Sequence, residues 1–425
     1  MTIKIVLVGA ILRNWIKMLI MVVLGIGCAF LLPKAEGTIK SLSFLLSDIS
    51  LNIMLYITVA YSFSKLYVGV VDIKKERLGL SKILFMFSLF TLLFLVLSAI
   101  LSIFVMNILS VPQESFFDFN QKSTHQMDLY GFSDLLQNIF PDNLLNILIG
   151  GTKFFTPLIV LAIILALGTV GSGKKGTFFY DIVKSFGDIL DSIANYIVDL
   201  IPFLSFFVII YCVRYGFGEV SNLAIVLIPI VGVLIVFAVL VIVMSVFSKF
   251  FFKIDLLSYY KSVFGAALVG AVTGNSLTAV VPLNLHLKRN VKINRSIVDF
   301  LVPIGSVINQ TGTIIVAIVV LLSIISGYSL SILTLGLQMS IFLFVILFSF
   351  RLDGNNDLTF LVLIAMITKH PSLYLEQSSY LLFIAIAPLF SRIAVFINVF
   401  TTGVYSILVA NYIEKVELAD DVDFL

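Results

Sequence analysis

A run of polar residues interrupts the longest charge-free part of the chain. Residues 300–350 contain no Asp, Glu, Lys or Arg, yet 305–313 read G-S-V-I-N-Q-T-G-T. Gly312 allows a helix to unwind locally, which frees backbone carbonyls. Those carbonyls, the Asn309 amide and the Thr311 hydroxyl are hard oxygen ligands of the kind that bind a small hard cation. The alternative is that these side chains only join helices by hydrogen bonds, which is common in membranes.

Arg392 is the second candidate for chemistry, because it is the only charged residue between 377 and 412. An arginine at the centre of a bilayer is costly unless it is paired or hydrated. Three polar residues, Asn398, Thr401 and Thr402, follow it in the same apolar run. We expect Arg392 either to bind an anionic solute or to form a gating ion pair. A structural pair with a nearby acid is the alternative.

Two further segments combine apolar arms with a polar break. Residues 262–285 are charge-free but contain T-G-N-S at 273–276. A charged turn, R-L-D-G-N-N-D at 351–357, separates an arm at 330–349 from one at 358–368. The second of these arms is too short to cross a bilayer, which takes about 20 residues. The pattern favours a re-entrant hairpin over a solvated loop between two full spans.

The composition restricts the class of protein. Of the 425 residues, 60% are apolar and 12% are charged, with a mean hydropathy of +1.13, whereas soluble proteins carry about 25% charged residues. The net charge of +3 offers no basic surface for nucleic acid. The two cysteines lie in apolar runs and cannot build a disulfide framework. These figures exclude a soluble enzyme, a disordered chain and a nucleic-acid binder, and they predict an all-α polytopic membrane protein.

Six apolar runs before residue 250 are long enough, or nearly long enough, to span a bilayer. They lie at 18–32, 51–71, 83–109, 154–170, 201–213 and 220–248. Lys65 falls inside the second run, and we expect it to snorkel to the interface. Lys and Arg cluster between the second and third runs, after the fourth and before residue 297, while the 110–141 loop is acidic. Because positive loops face the cytoplasm, we predict a cytoplasmic (inner) membrane protein with both termini inside.

Residues 255–413 show a repeated pattern, in which a broken segment precedes a span with a polar break. The first unit is 262–287 followed by 297–326, and the second is 330–368 followed by 378–413. Unwound backbone at that depth is tolerated only where it is buried in protein or lines a wet cavity. Broken segments in corresponding positions of two repeats point to a transporter's binding site near the bilayer midplane. The alternative is that the breaks are kinks at Gly and Pro.

Three motifs resemble those of one transporter family. Residues 303–313, P-I-G-S-V-I-N-Q-T-G-T, are similar to the family's P-L-G-A-T-I-N-M-D-G-T. Residues 275–282, N-S-L-T-A-V-V-P, fall on its serine-rich first hairpin tip, and Asn398-Val399 with Thr402 falls on the N-V-x-G-D of its last span. On these residues the chain is identified as a divergent member of the dicarboxylate/amino acid:cation symporter family, which includes glutamate and aspartate transporters.

The resemblance implies an elevator-type transporter fold with inverted repeats, built from eight transmembrane helices and two re-entrant helical hairpins and assembled as a homotrimer. A scaffold would hold the trimer together, and a transport domain would slide through the membrane with the second hairpin as outer gate. The implied division is 1–73 for scaffold spans one and two, 74–110 for transport-domain span three, 111–219 for the extracellular loop and scaffold spans four and five, 220–250 for transport-domain span six, 251–290 for the first hairpin, 291–328 for span seven, 329–373 for the second hairpin, and 374–425 for span eight and the cytoplasmic tail.

The implied function is symport of a small carboxylate or amino acid with a cation, and an anion-conducting channel or an uncoupled uniporter is the alternative. Sodium or a proton would be the coupling ion, without any other cofactor, and no paired nucleophile and base supports an enzyme. The predicted solute contacts are Ser276, Thr278, Thr313, Ser391, Arg392 and Asn398. The predicted cation ligands are Gly305, Asn309, Thr311, Asn398 and Thr402. The predicted gate residues are Arg351, Asp353 and Asp357.

Departures from the family pattern remove charge from the implied site. The family's sodium-ligating aspartates fall at Thr311 and Thr402 of this chain. The aspartate that binds an amino group falls at Ser391, and the arginine that binds a side-chain carboxylate falls at Ala394. The residues with which the family binds acidic amino acids are therefore missing, and other residues have to bind the solute. Arg392, two positions before Ala394, is the nearest positive charge.

The loss of these carboxylates bears on the coupling ion. Replacing Asp by Thr keeps one neutral oxygen and removes a full negative charge, and ligand charge tunes the affinity of a cation site. The sequence therefore predicts weaker or altered sodium coupling. Proton coupling through Asp299, Asp353 or Asp357 is one alternative, and facilitated uniport is another.

Overall fold

The computed structural model describes residues 14–31, 38–109, 155–216, 223–291, 293–327, 335–349 and 381–414. These residues form twelve α-helices. The helices are α1 (Asn14–Leu31), α2 (Thr38–Lys75), α3 (Leu80–Ile108), α4 (Thr156–Gly171), α5 (Thr177–Tyr211), α6 (Leu223–Phe251), α7 (Leu256–Thr273), α8 (Val280–Asn290), α9 (Arg295–Ile308), α10 (Thr311–Gly327), α11 (Leu335–Ser349) and α12 (Leu381–Ile413).

Most of the helices are apolar enough to lie in a membrane. Among the described residues, seven stretches have the length and hydropathy of a membrane span, and two shorter apolar helices lie at Ile16–Leu31 and Thr156–Gly171. The seven are Ser41–Lys75, Leu80–Ile108, Gly173–Arg214, Leu227–Phe251, Leu256–Thr273, Arg295–Ser323 and Leu389–Ile413. The prediction of an all-α polytopic membrane protein is confirmed, while the count of eight spans stays a prediction.

Helix packing gathers the chain into two groups. In the first group α2 packs against α4 and α5, and α1 packs against α5. In the second group α12 packs against α7, α9 and α10, while α3 and α6 pack against α10. Helix α9 joins the two groups by packing on α2. In an 18-residue apolar window of each span, 94% of Arg295–Ser323 and 89% of Leu389–Ile413 is buried, against 22% of Ser41–Lys75. Helices α9, α10 and α12 therefore form the centre.

The predicted break at 273–276 is confirmed as a sharp turn. Helix α7 ends at Thr273, and Gly274 adopts φ of +72°, a left-handed conformation that glycine tolerates without a steric cost. Asn275 is extended, and its side-chain oxygen accepts a hydrogen bond from the Leu277 amide at 2.9 Å. A 3₁₀ turn follows, and α8 then packs back against α7. Since α8 has 11 residues, it is about 17 Å long, roughly half the thickness of a bilayer core.

The predicted break inside 305–313 is also confirmed. Helix α9 ends at Ile308, Asn309 is extended with ψ of 106°, and α10 begins at Thr311. The break therefore occupies Asn309 and Gln310, both of which are fully buried. Backbone groups freed at such a depth require partners inside the protein.

The predicted polar break in the last span is wrong, because α12 runs without interruption from Leu381 to Ile413. The hydroxyl of Thr401 donates to the Ile397 carbonyl at 2.7 Å, within the same helix. Gly403 lies against Val263, whose Cγ1 would be 2.5 Å from an added Cβ. The glycine thus permits close helix packing and does not unwind α12, so the second unit does not repeat the breaks of the first in its final span.

Lys65 does not snorkel, and that prediction is wrong. Its side chain lies in α2, the residue is only 5% exposed, and its Nζ pairs with the Asp191 carboxylate of α5. A buried lysine is stabilised when an opposite charge is within hydrogen-bonding distance, so the partner on α5 removes the need to reach an interface. Of the predicted second hairpin, only α11 falls within the described residues.

Candidate functional site

Asn309 is the central side chain of a buried polar cluster between α9, α10 and α12. Its Nδ2 donates toward the Asn398 carbonyl at 3.0 Å and toward the hydroxyls of Thr401 and Thr402 at 2.7 and 2.9 Å. Its Oδ1 accepts from the Thr311 hydroxyl at 2.7 Å. One amide at the helix break thus holds the start of α10 against α12.

Asn398 of α12 makes the reciprocal set of contacts. Its Oδ1 accepts from the Gly312 amide at 2.7 Å and lies 3.4 Å from the Thr313 amide. Its Nδ2 donates to Gln310 Oε1 at 3.1 Å and to the Thr313 hydroxyl at 3.0 Å. The first amides of a helix have no partner in their own helix, so Asn398 caps α10 from a neighbouring helix.

Two glycines allow the helices to approach closely enough for these bonds. A Cβ on Gly312 would lie 2.2 Å from the Ala394 carbonyl oxygen, and one on Gly305 would lie 2.5 Å from Thr402 Cγ2. Neither position has room for a side chain. The predicted unwinding role of Gly312 is wrong, because this glycine lies within α10 and the break occupies Asn309 and Gln310. Its role is in packing, since the backbone of α10 touches the backbone of α12 at this point.

The predicted cation ligands are brought together by the structure. They are Gly305, Asn309, Thr311, Asn398 and Thr402. Their oxygens are already engaged with one another: the Thr402 hydroxyl lies 3.3 Å from the Gly305 carbonyl and accepts from the Asn309 amide. The side chains in these contacts are amides and hydroxyls, without a carboxylate. Within the described ranges, no group of three His, Cys, Asp or Glu side chains could hold a metal ion.

A small cavity adjoins the cluster and faces the turn between α7 and α8. Its volume is about 10 Å³, close to the minimum that holds one water molecule. The lining residues are Ser276, Ala279, Val280, Leu283, Val302, Ser306, Asn398, Val399 and Thr402. The Ser276 side chain is 1% exposed, and its hydroxyl has no hydrogen-bond partner among the described residues. This unsatisfied hydroxyl beside Asn398 is a position for a solute oxygen or a water.

The other predicted solute contacts separate into two places. Thr313 lies in the cluster, where its hydroxyl donates to Gln310 Oε1 at 2.8 Å. The Thr278 hydroxyl instead lies inside the α7–α8 turn, 2.6 Å from Thr273 Oγ1 and 2.7 Å from the Asn275 carbonyl. Thr278 therefore supports the turn, while Ser276 is the hairpin residue that faces the cavity.

Ser391 and Arg392 lie one to two turns before Asn398 on α12. Ser391 is fully buried, and its hydroxyl has no partner within the part of the chain that the structure describes. The Arg392 guanidinium lies against the α7–α8 turn: Nε is 3.4 Å from the Val272 carbonyl, and Nη2 contacts Cys212 Sγ. A Cβ on Gly274 would be 3.7 Å from Arg392 Cζ. The arginine thus joins α12 to the hairpin turn and to the end of α5.

The predicted gate residues lie outside the described residues. They are Arg351, Asp353 and Asp357. The prediction that this segment forms an outer gate stays a prediction.

The predicted solute contacts and cation ligands omit two residues of α12 that contribute to the cluster. Thr401 accepts from Asn309, and the Tyr405 hydroxyl lies 3.2 Å from the Thr311 hydroxyl. Both share a helix face with Asn398, at offsets of three and seven residues. This spacing could have identified them from the sequence, because polar residues on one face of a buried apolar helix indicate that the face contacts another polar group.

A discontinuous helix in the buried centre of a polytopic membrane protein, with its freed backbone groups held by polar side chains, is characteristic of membrane transport proteins. The chain belongs to the sodium:dicarboxylate symporter family, whose sequence profile matches residues 15–412. The family resemblance predicted from the sequence is therefore confirmed, and the chain is a transport protein rather than an enzyme.

A similar curated protein is the C4-dicarboxylate transport protein of Azorhizobium caulinodans. It is 23% identical to this chain over 289 residues, which are 68% of this chain and 62% of that relative. The chain thus matches somewhat less than two thirds of the relative's length.

Proposed function

We propose that this chain is a secondary transporter of a small carboxylate or amino acid across the cytoplasmic membrane, with C4-dicarboxylates as the leading class. Family membership and the name of the A. caulinodans relative support a dicarboxylate. The observation that carries the proposal is the small cavity next to the Asn309 cluster, where the unsatisfied Ser276 hydroxyl lies opposite Asn398. Polar side chains reach this cavity from the α7–α8 turn, from α9 (Ser306) and from α12.

Movement of the solute follows from the family's architecture. We propose eight spans, two re-entrant hairpins and inverted repeats, assembled as a homotrimer that works by an elevator mechanism. Helices α1, α2, α4 and α5 are the scaffold, and the remaining described helices belong to the moving transport domain. The two packing groups of the fold support this division. Arg392, which touches the hairpin turn, supplies the positive charge for a carboxylate.

We further propose that sodium is dispensable for transport. The Asn309 amide donates hydrogen bonds to the Asn398 carbonyl and the Thr402 hydroxyl, both of which were predicted to ligate a cation. An amide proton and a cation compete for the same lone pairs. Without a carboxylate nearby, a cation gains only neutral ligands and has to displace these bonds, which disfavours its binding. The same arrangement supports an uncoupled uniporter as the second candidate, with a proton at Asp299, Asp353 or Asp357 as the remaining coupling route.

Counterflow distinguishes a carrier from a pore. We expect purified protein in liposomes loaded with unlabelled succinate to accumulate labelled succinate transiently, with a rate that saturates. A carrier exchanges one bound solute for another, whereas a channel conducts without such exchange.

The control is the same preparation loaded with a sugar of equal osmolarity, which should show no transient accumulation. Conductance without counterflow would contradict a carrier. A complete absence of exchange for C4-dicarboxylates and amino acids would contradict the proposed solute class.

A further inference from the structure

A second polar network, largely buried except at Asp191, is not used by the proposed solute site. It contains two ion pairs. Lys65 of α2 pairs with Asp191 of α5, and Lys288 of α8 pairs with Asp299 of α9. Each pair is internally neutral, and each lies within one of the two packing groups.

A tyrosine and an asparagine connect the two ion pairs. The fully buried Tyr61 hydroxyl of α2 is 3.1 Å from Asn284 Oδ1 of α8 and 3.1 Å from Asp191 Oδ1. Asn284 Nδ2 in turn donates to Asp299 Oδ1 at 3.0 Å. The network therefore runs Lys65–Asp191–Tyr61–Asn284–Asp299–Lys288, and its crossing between the two packing groups is made by uncharged side chains.

The position of the charges matters if the two groups move apart. Separating a buried charge from its partner is strongly unfavourable, whereas a hydrogen bond between neutral groups contributes much less. Parting at Tyr61 and Asn284 leaves both lysines with their carboxylates. Tyr61 has one proton and two acceptors at equal distance, so it can donate fully to Asp191 once Asn284 has left.

The buried boundary around Tyr61 is apolar and closely fitted, while polar contacts such as Arg289 of α8 with Asn195 of α5 lie at its exposed edge. Tyr61 lies in an apolar cluster with Met54 and Leu190 on one side and Val281 and Leu285 on the other. Farther along α2, a Cβ on Gly69 would be only 2.9 Å from the Ser296 carbonyl oxygen of α9. Around Tyr61, such a surface presents few buried polar groups that sliding would leave unpaired.

We propose that the Tyr61–Asn284 hydrogen bond is a latch, a buried neutral polar contact that must break when the hairpin and α9 move along the scaffold. This inference rests on the proposed elevator movement. It assigns a conformational role to a residue pair outside the solute site, and it explains why both lysines are paired within their own group.

Electron–electron distance measurements test the latch. Spin labels attached to a ketone-bearing non-canonical residue at positions 185 of α5 and 258 of α7, both exposed, spare the native cysteines. In lipid nanodiscs with and without succinate, we expect two distance populations. The latched population is the one in which the Tyr61–Asn284 hydrogen bond is formed, and the shifted population is the one in which it is broken. Tyr61→Phe should lower the ratio of the latched to the shifted population by roughly fivefold, since one hydrogen bond is lost.

Tyr67→Phe is the matched control, because its hydroxyl bonds Thr169 of α4 within the scaffold; it should leave the populations unchanged. Asn284→Ser is a second variant, and combining it with Tyr61→Phe should add no further shift. Two populations whose ratio is the same in wild type and Tyr61→Phe would overturn the latch alone. A single distance in every variant and condition would overturn the elevator movement itself.

Discussion

Asn398→Ala is expected to reduce succinate uptake by at least about 100-fold, since it leaves several buried polar groups unpaired at once. The side chain accepts from the Gly312 amide and donates to Gln310 and Thr313. Alanine therefore uncaps α10 and opens the face of the small cavity at the same time. Initial uptake rates in liposomes, normalised to the amount of monodisperse protein, measure the effect.

Ser406→Ala is the matched control on the same helix, eight residues farther along. The Ser406 hydroxyl donates to the Thr402 carbonyl at 2.8 Å, within α12, and its loss leaves no partner from another helix unpaired. We expect its uptake to stay within about twofold of wild type, as for other substitutions that spare tertiary contacts. Normal uptake by Asn398→Ala would show that the cluster does not organise the transport site.

Thr402→Asp is expected to create sodium binding where the wild-type chain has little. The Thr402 hydroxyl lies between the Gly305 carbonyl and the Asn309 amide, so an aspartate there adds negative charge to a set of neutral oxygens. The Asn309 amide can rotate to present its oxygen to the ion. We expect sodium to raise the melting temperature of the variant by roughly 5 °C or more over an equal concentration of choline.

Thr402→Asn controls for size and polarity, because it has the same shape as aspartate without the charge. Neither Thr402→Asn nor wild type should respond to sodium in the same thermal measurement. A sodium-induced rise in wild type as large as that of Thr402→Asp would mean that hydroxyls suffice for binding and that the missing carboxylates are irrelevant.

The two helix breaks of the first unit could be predicted from sequence, because the signal is local. Polar residues and glycine at 273–276 and 309–313 interrupt long apolar runs, and a helix in an apolar environment has few other reasons to carry them. The same reasoning failed for α12. A threonine and a glycine such as Thr401 and Gly403 can either break a helix or lie within a continuous one, and the sequence is the same in both cases. The contacts with neighbouring residues determine which of the two occurs.

The partners across the fold could not be predicted for a similar reason. Lys65 and Asp191 are 126 positions apart, and periodicity along one helix does not identify a partner on another. The motifs predicted that the cation ligands would lie close together. They did not predict that the amide nitrogen of Asn309 would lie at the centre of these ligands and donate to them. Asparagine offers a donor and an acceptor in one side chain, so residue type leaves open which of the two faces the cluster.

Sodium-independent transport is tested most directly by the initial rate of succinate uptake by wild-type protein in liposomes, measured in sodium and again with sodium fully replaced by choline. The Asn309 amide already donates to the oxygens that would otherwise bind the ion. We therefore expect the two uptake rates to agree within about twofold, a smaller difference than the roughly fivefold effect of losing one hydrogen bond. Uptake that disappears in choline and returns with sodium would contradict sodium-independent transport.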